Sequence, residues 1–187
     1  MAIIKPNNNT ISAITALPAA ITTGKVLQTV HVGEGTVRSS TTQSWQSISG
    51  LTLDITPAST SNKVLVICNF TLSSGNHGIV RIKRDSTVIG GGTTASSSRQ
   101  NTSMYMNANG NSARVQSMMH LDSPSKTSAT TYHAEWYNNT TSPPIYLNRT
   151  PNDTDAVYGS RGLSTITLME IVGWLQKQYL KLILMQK

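Results

Sequence analysis

Three side chains that hydrolases use as a catalytic triad stand close together in "MHLDSPS": His120, Asp122 and Ser123. A serine nucleophile needs a base and a sharp turn that presents an oxyanion hole, as in the Gly-x-Ser-x-Gly elbow. The sequence has no such elbow, and His120 and Asp122 alternate onto one face of a strand. We therefore interpret the segment as a polar strand end before a proline turn and predict no catalytic residue.

A second group of side chains could begin a metal site. His133 and Glu135 share a strand face in "TYHAEWY", but the pattern offers no third ligand, so we favour an exposed cross-strand polar pair. Gly90, Gly91 and Gly92 are not followed by the Gly-Lys-Ser/Thr ending of a phosphate-binding loop, and a bulge or hinge is the favoured interpretation. Cys68 is the only cysteine, which excludes an intramolecular disulfide and favours a buried, inert thiol. We expect no metal and no cofactor.

The charge of the chain argues against two further classes. The 187 residues carry a net charge of +7, but basic residues are scattered and only "RIKRD" is dense, with Arg81 and Lys83 on one face and Arg84 on the other. This distribution does not predict a nucleic-acid site. The chain has only 8 acidic residues, which makes the paired carboxylates of a surface depolymerase improbable.

Short strands with alternating apolar residues fill the body of the sequence, which predicts one all-β domain of the jelly-roll sandwich type. Charged residues are only 12% of the chain, so small neutral polar groups must cover most of its surface. "KVLVICNFTLS" is the most apolar stretch and predicts a central strand. The residues expected to point inward are Val26, Val30, Val32, Leu51, Leu53, Ile55, Val64, Val66, Cys68, Phe70, Leu72, Val80, Ile82, Ala113, Val115, Met119, Leu121, Tyr132, Ala134 and Trp136.

We predict three regions: an N-terminal arm at 1–24, the jelly-roll domain at 25–172 and an apolar, basic C-terminal tail at 173–187. The arm has no sustained period, so it is either disordered or extended along another surface. In the second case its apolar residues would dock on a particle: Ile3, Ile4, Ile11, Ile14 and Leu17.

The tail "GWLQKQYLKLILMQK" carries a helical stripe, although "LKLIL" also alternates as a strand would. A helix of this length needs a partner, so three tails could bundle or each could dock on a neighbouring protein. A membrane-surface role ranks third because no second anchor accompanies it. The candidate contacts are Trp174, Leu175, Tyr179, Leu182 and Ile183.

A long segment with little pattern, residues 90–112, predicts a loop, and loops of this length are usually functional or disordered. Within it, Met104, Tyr105 and Met106 are the candidate recognition residues, because exposed aromatic side chains are favoured contact groups. Packing at a subunit contact is the equal alternative.

Three stretches together resemble a family of tailed-bacteriophage virion proteins: "SWQSISGLTLDITPASTSNKVLV", "MHLDSPSKTSATTYHAEWYNN" and the closing "STITLMEI". The resemblance covers about residues 24–171. It implies a trimeric jelly roll similar to that of tumour necrosis factor, as found on tail fibres, head fibres and capsid decorations.

The resemblance leads to one main functional hypothesis and one alternative. The first is a non-enzymatic virion structural protein, a homotrimeric capsid decoration or short fibre-type appendage that contacts other capsid or tail proteins. The alternative is the receptor-binding tip of a tail or head fibre, recognising host-surface carbohydrate. No signal peptide and no apolar run of about 20 residues is present, so we expect assembly in the bacterial cytoplasm and display on the virion surface.

Overall fold

A computed structural model describes residues 25–93, 97–107 and 112–173, which form eleven β-strands. The strands are β1 (Val26–Glu34), β2 (Arg38–Ser40), β3 (Gln46–Ile55), β4 (Lys63–Ser74), β5 (His77–Arg84), β6 (Thr87–Ile89), β7 (Met104–Asn107), β8 (Arg114–Asp122), β9 (Thr130–Asn138), β10 (Ile145–Leu147) and β11 (Ser164–Ile171). The predictions for the arm at 1–24 and for tail residues 174–187 lie outside the described residues.

The strands form two antiparallel sheets, which we call sheet 1 and sheet 2. In sheet 1, β4 pairs with β11 and β10 along one edge and with β8 along the other; β1 lies beyond β11, and β2 beyond β10. In sheet 2 the order is β3-β9-β5, and β6 and β7 share the far edge of β5. The prediction of an all-β sandwich of jelly-roll type is confirmed.

The core lies between the two sheets and is built from alternating inward residues. On the central strand β4, the five predicted inward residues from Val64 to Leu72 have no exposed surface. On the facing sheet, Tyr132 and Ala134 of β9 are equally buried and Trp136 is 5% exposed. These predictions are confirmed because both strands carry an uninterrupted apolar face that only a sandwich interior can bury.

Strand β8 corrects the sequence analysis. Val115, Met119 and Leu121 were expected to point inward, but they are 63%, 72% and 53% exposed, whereas Met118 is buried. Ala113 precedes the strand and is half-buried. A period of two shows which residues share a face of a strand, but not which of the two faces meets the core. In β8 the face that meets the core ends in Asp122, which is buried and ion-paired.

Two further predictions are wrong in detail. Met104, Tyr105 and Met106 lie in strand β7 rather than in a loop, and both methionines are buried, at 5% and 2% exposure. Val26 is 53% exposed because the register of β1 against β11 shifts between Val26 and Gln28, which turns the start of the strand away from the core.

A partly buried ion pair joins the two sheets. Arg84 Nη1 of β5 donates to both carboxylate oxygens of Asp122 on β8, at 2.7 and 2.8 Å. The Tyr132 hydroxyl of β9 donates to the same carboxylate at 2.7 Å. Burial, followed by the hydrogen bond to Asp122, raises the pKa of Tyr132, so this tyrosine stays protonated.

The described part of the chain contains no helix long and apolar enough to cross a membrane.

Candidate functional site

The outward face of sheet 1 carries a group of solvent-facing apolar side chains on regular strands. We call the outward residues of β8, β4 and β11 the outer face of sheet 1. On β4 and β11 these residues alternate with fully buried ones and are themselves half-buried. The outer face comprises Val115, Ser117, Met119 and Leu121, then Lys63, Leu65, Ile67, Asn69 and Thr71, then Thr165, Thr167, Met169 and Ile171.

Strand pairing places the apolar members of this face side by side. Leu121 of β8 lies opposite Leu65 of β4, which lies opposite Met169 of β11. One step along the strands, Met119 lies opposite Ile67. Side chains directly opposite one another contact across a sheet, so these residues form a continuous apolar strip across three strands.

The strip is almost free of charge. Lys63 is the only charged residue of the outer face, and its ammonium donates to Ser123 Oγ at 2.7 Å. Beside the strip, His31 of β1 bonds Thr167 Oγ1 at 2.9 Å. A largely apolar face with a single charge suits a protein contact. Its burial adds stability, and few charged groups must lose their water.

The triad residues of the sequence are not arranged as a triad. Asp122 is bound by Arg84 and Tyr132, and Ser123 Oγ accepts the hydrogen bond from Lys63. Among the described residues no hydrogen bond joins His120 to Asp122 or to Ser123. The Asp122 carboxylate therefore stabilises the contact between the two sheets.

His133 and Glu135 do share a face, but Glu135 belongs to a cationic network. Its carboxylate lies 3.5 Å from His133 Nε2, 2.7 Å from Arg81 Nε and 3.4 Å from Lys83 Nζ. Burial raises the pKa of Glu135, but Arg81 and Lys83 outweigh it, so the pKa lies below its usual value. Glu135 is buried and His133 is half-buried, so the expectation of an exposed pair is wrong. Residues 25–93, 97–107 and 112–173 contain no cluster of three His, Cys, Asp or Glu that could hold a metal.

Tyr105 is the one candidate recognition residue that faces solvent, at 52% exposure. Its hydroxyl is hydrogen-bonded to His77 Nδ1, and the two rings stack with centroids 5.9 Å apart. Met104 and Met106 point into the core and are unavailable to a partner. The docking residues Ile3, Ile4, Ile11, Ile14 and Leu17 and the tail contacts Trp174, Leu175, Tyr179, Leu182 and Ile183 lie outside the described residues.

Two aromatic residues of this region, Trp45 and Tyr137, were not predicted as site residues from the sequence. Tyr137 lines the same cavity as Tyr105 on the outward side of sheet 2, and the Trp45 ring lies 5.7 Å from the Tyr137 ring. The pairing of β3 with β9 brings them together, since Gln46 lies opposite Trp136. The alternation of β9 could have marked Tyr137 as outward, but nothing in the sequence predicts which strand lies beside it.

Comparison of the sequence with protein-family models and with curated proteins finds no match in either case.

Proposed function

We propose that the chain is a non-enzymatic structural protein of a tailed-bacteriophage particle. It is displayed on the particle surface as a homotrimer, either as a capsid decoration or as a short fibre-type appendage. Its partners are further copies of itself and other capsid or tail proteins.

The exposed apolar face of β8 is the observation that carries the proposal. Val115, Met119 and Leu121 are each more than half exposed. They alternate along the strand as core residues do, but the face that they share points to solvent. Exposed, contiguous apolar surface on a folded domain marks an interaction site. The outer face of sheet 1 is therefore available to a partner that brings apolar surface of its own.

Copies of the same chain are the favoured occupant. With Lys63 as its only charge, the face offers no electrostatic pattern that would select a charged partner. A contact repeated around a closed ring buries such a face on every copy and leaves no free end for further growth. A cyclic trimer meets this requirement, and the resemblance to trimeric virion proteins supports that number.

The virion location rests on the resemblance and on the composition. The chain covers its surface mainly with neutral polar residues and has 12% charged residues. A stable β-sandwich of this kind suits a protein that is assembled inside a cell and then exposed outside it.

Immunogold labelling of purified particles tests the proposal. Antibodies raised against the full recombinant chain should label the exterior of intact particles produced by a host that carries this gene. Antibodies against an abundant cytoplasmic host protein are the control and should leave the particles unlabelled. Absence of the chain from purified particles by mass spectrometry, or labelling only after the particles are disrupted, would contradict the proposal.

A receptor-binding tip is the second candidate function. The observation that favours it is the group of aromatic side chains around Tyr105 on the outward side of sheet 2.

A further inference from the structure

A cavity of about 500 Å³ opens on the outward side of sheet 2, away from the outer face of sheet 1. This volume lies within the range of pockets that hold small ligands. Its lining combines aromatic rings with polar side chains, chiefly His77, Arg99, Gln100, Thr102, Tyr105 and Tyr137. All of them come from one chain, so the cavity does not depend on the proposed trimer.

Two tyrosines of the lining, Tyr105 and Tyr137, each have an aromatic neighbour. Tyr105 of β7 stacks on His77 of β5 with an interplanar angle of 29°. Tyr137 of β9 contacts Trp45, whose ring is tilted by 52° against it. Both tyrosines therefore have one neighbour that fixes the ring and one side that borders the cavity.

Contacts behind the cavity hold Trp45 in place. The Arg81 guanidinium lies 4.0 Å from the centre of the Trp45 ring, and Arg81 Nε donates to Glu135 at 2.7 Å. Trp45 Nε1 donates to Gln100 Oε1 at 3.2 Å, which links the tryptophan to the cavity wall. A site whose side chains are fixed before binding loses less conformational entropy when a ligand arrives.

The charges of the lining select among ligands. Among the described residues that line the cavity there is no carboxylate, whereas the Arg99 guanidinium is one of the lining groups. Arg99 forms no ion pair within the described ranges and is exposed, so its guanidinium can pair with an incoming anion. The cavity therefore favours an anionic ligand over a neutral or cationic one.

A sugar ring fits this combination. The carbon-bound hydrogens of a pyranose present an apolar face that packs on aromatic rings, and its hydroxyls match the polar ends of Tyr, Gln and His side chains. An acidic sugar adds a carboxylate for Arg99. We propose that the cavity binds an acidic sugar residue of a surface glycan, stacked against Tyr105 and Tyr137 and paired with Arg99.

A matched pair of probes tests this proposal: methyl β-D-glucuronide and methyl β-D-glucoside, which differ only in the carboxylate at carbon 6. Titration of the labelled full chain, followed by NMR shifts of the indole and backbone signals, should show the glucuronide binding about tenfold more tightly. The shifts should concentrate on Trp45 Nε1–H and on residues 98–105.

Two variants and one control locate the binding. Arg99→Gln should abolish the preference for the glucuronide over the glucoside, because the partner of the carboxylate is lost. Tyr105→Ala should weaken both probes about fivefold to tenfold, since one stacking surface is lost. Tyr158→Ala, a change at an aromatic residue that is 71% exposed and does not line the cavity, should change neither affinity.

Three results would overturn the proposal: no binding of either probe, equal affinities for the two probes in the unaltered chain, or unchanged binding in Tyr105→Ala. Tighter binding of a nucleotide such as uridine monophosphate than of the glucuronide would also overturn it, because that result assigns the aromatic rings to base stacking. None of these results bears on the trimer or on the virion location, which the mass and labelling experiments test separately.

Discussion

Glu170 is a fully buried carboxylate that is held by neutral donors rather than by a cation. Gln28 Nε2 and Asn62 Nδ2 each donate to it at 2.6 Å, and the Ala58 backbone N–H donates at 2.7 Å. Burial raises the pKa of Glu170, but these three hydrogen bonds outweigh it, so the pKa lies below its ordinary 4.5. The ionised side chain fixes the 56–62 turn against β11 and β1.

We predict that Glu170→Gln lowers the free energy of unfolding by about 1 to 3 kcal/mol at pH 7. The new amide NH₂ would face the Gln28 donor, and one of the two groups would lose its partner. Because the pKa of Glu170 is lowered by folding, its contribution is present above the unfolded value of 4.5 and is lost as the pH falls through the folded value. Urea unfolding at pH 7 and at pH 3 should therefore show a smaller difference between the two proteins at pH 3. A difference that grows on acidification would contradict this account.

Cys68 lies at the centre of β4 with no exposed surface, and burial raises its pKa to about 12. The reactive thiolate is therefore scarce at neutral pH, and reagents cannot reach the sulfur. We predict that an aromatic disulfide reagent modifies less than a few per cent of the native protein in the time that fully labels the urea-unfolded chain. Equal rates in the two states would show that this strand opens readily.

At the scale of the elements, the ion pair between Arg84 and Asp122 joins β5 of sheet 2 to β8 of sheet 1. Arg84→Met should lower the free energy of unfolding by about 3 kcal/mol, because it leaves the 5%-exposed Asp122 without its cation. Lys126→Met is the matched control. It removes an ion pair to Asp85 in which both side chains are about one-third exposed or more, and it should cost at most about 1 kcal/mol. Thermal unfolding of both variants measures the contrast, and equal losses would argue against a special role for the inter-sheet pair.

Strands β4, β8 and β9 show what alternation in the sequence can and cannot predict. For β4 and β9 one face is apolar throughout, so the inward residues could be named correctly. For β8 the apolar residues Val115, Met119 and Leu121 share a face just as clearly, but that face points to solvent. Among the described residues, β8 pairs only with β4 and so lies at the edge of its sheet. The ion pair with Arg84 holds Asp122 toward the interior, so the preceding Leu121 points to solvent.

The exposed face of β8 makes a sharp prediction about assembly. Met119→Asp places a charge on the exposed β8 side of the apolar strip and should weaken self-association by about 2 to 4 kcal/mol, without unfolding the domain. Val157→Asp is the matched control, since Val157 is fully exposed in the loop before β11 and lies outside the strip. Sedimentation velocity across a concentration series should show dissociation for the first variant alone. An unchanged oligomer in Met119→Asp would remove the outer face of sheet 1 from the interface.

At the scale of the whole molecule, the two surfaces lie on opposite sides of the sandwich. The outer face of sheet 1 is apolar and neutral, whereas the cavity on sheet 2 is aromatic and cationic. A trimer assembled through sheet 1 would leave the cavities of sheet 2 open to solvent on every copy. Three weak sugar contacts on one particle appendage would then act together through avidity.

The fold was predictable from the sequence to a greater degree than either surface. Strand type and the central position of β4 follow from composition and periodicity, which are local properties. The strip on sheet 1 needs the pairing of β8 with β4 and of β4 with β11, and the cavity needs β5, β7 and β9 side by side in one sheet. Tyr105 could be selected as an exposed aromatic, but its neighbours Trp45 and Tyr137 are distant in sequence and meet only through strand pairing.

The molar mass of the full chain in solution tests the central claim most directly. Light scattering coupled to size exclusion, at micromolar concentration and moderate salt, should give a single species of three times the 20.2 kDa chain mass. The mass should persist at high salt, because an apolar contact is not screened as an ionic one is. A mass of one chain under these conditions would contradict the account, and so would a stable dimer.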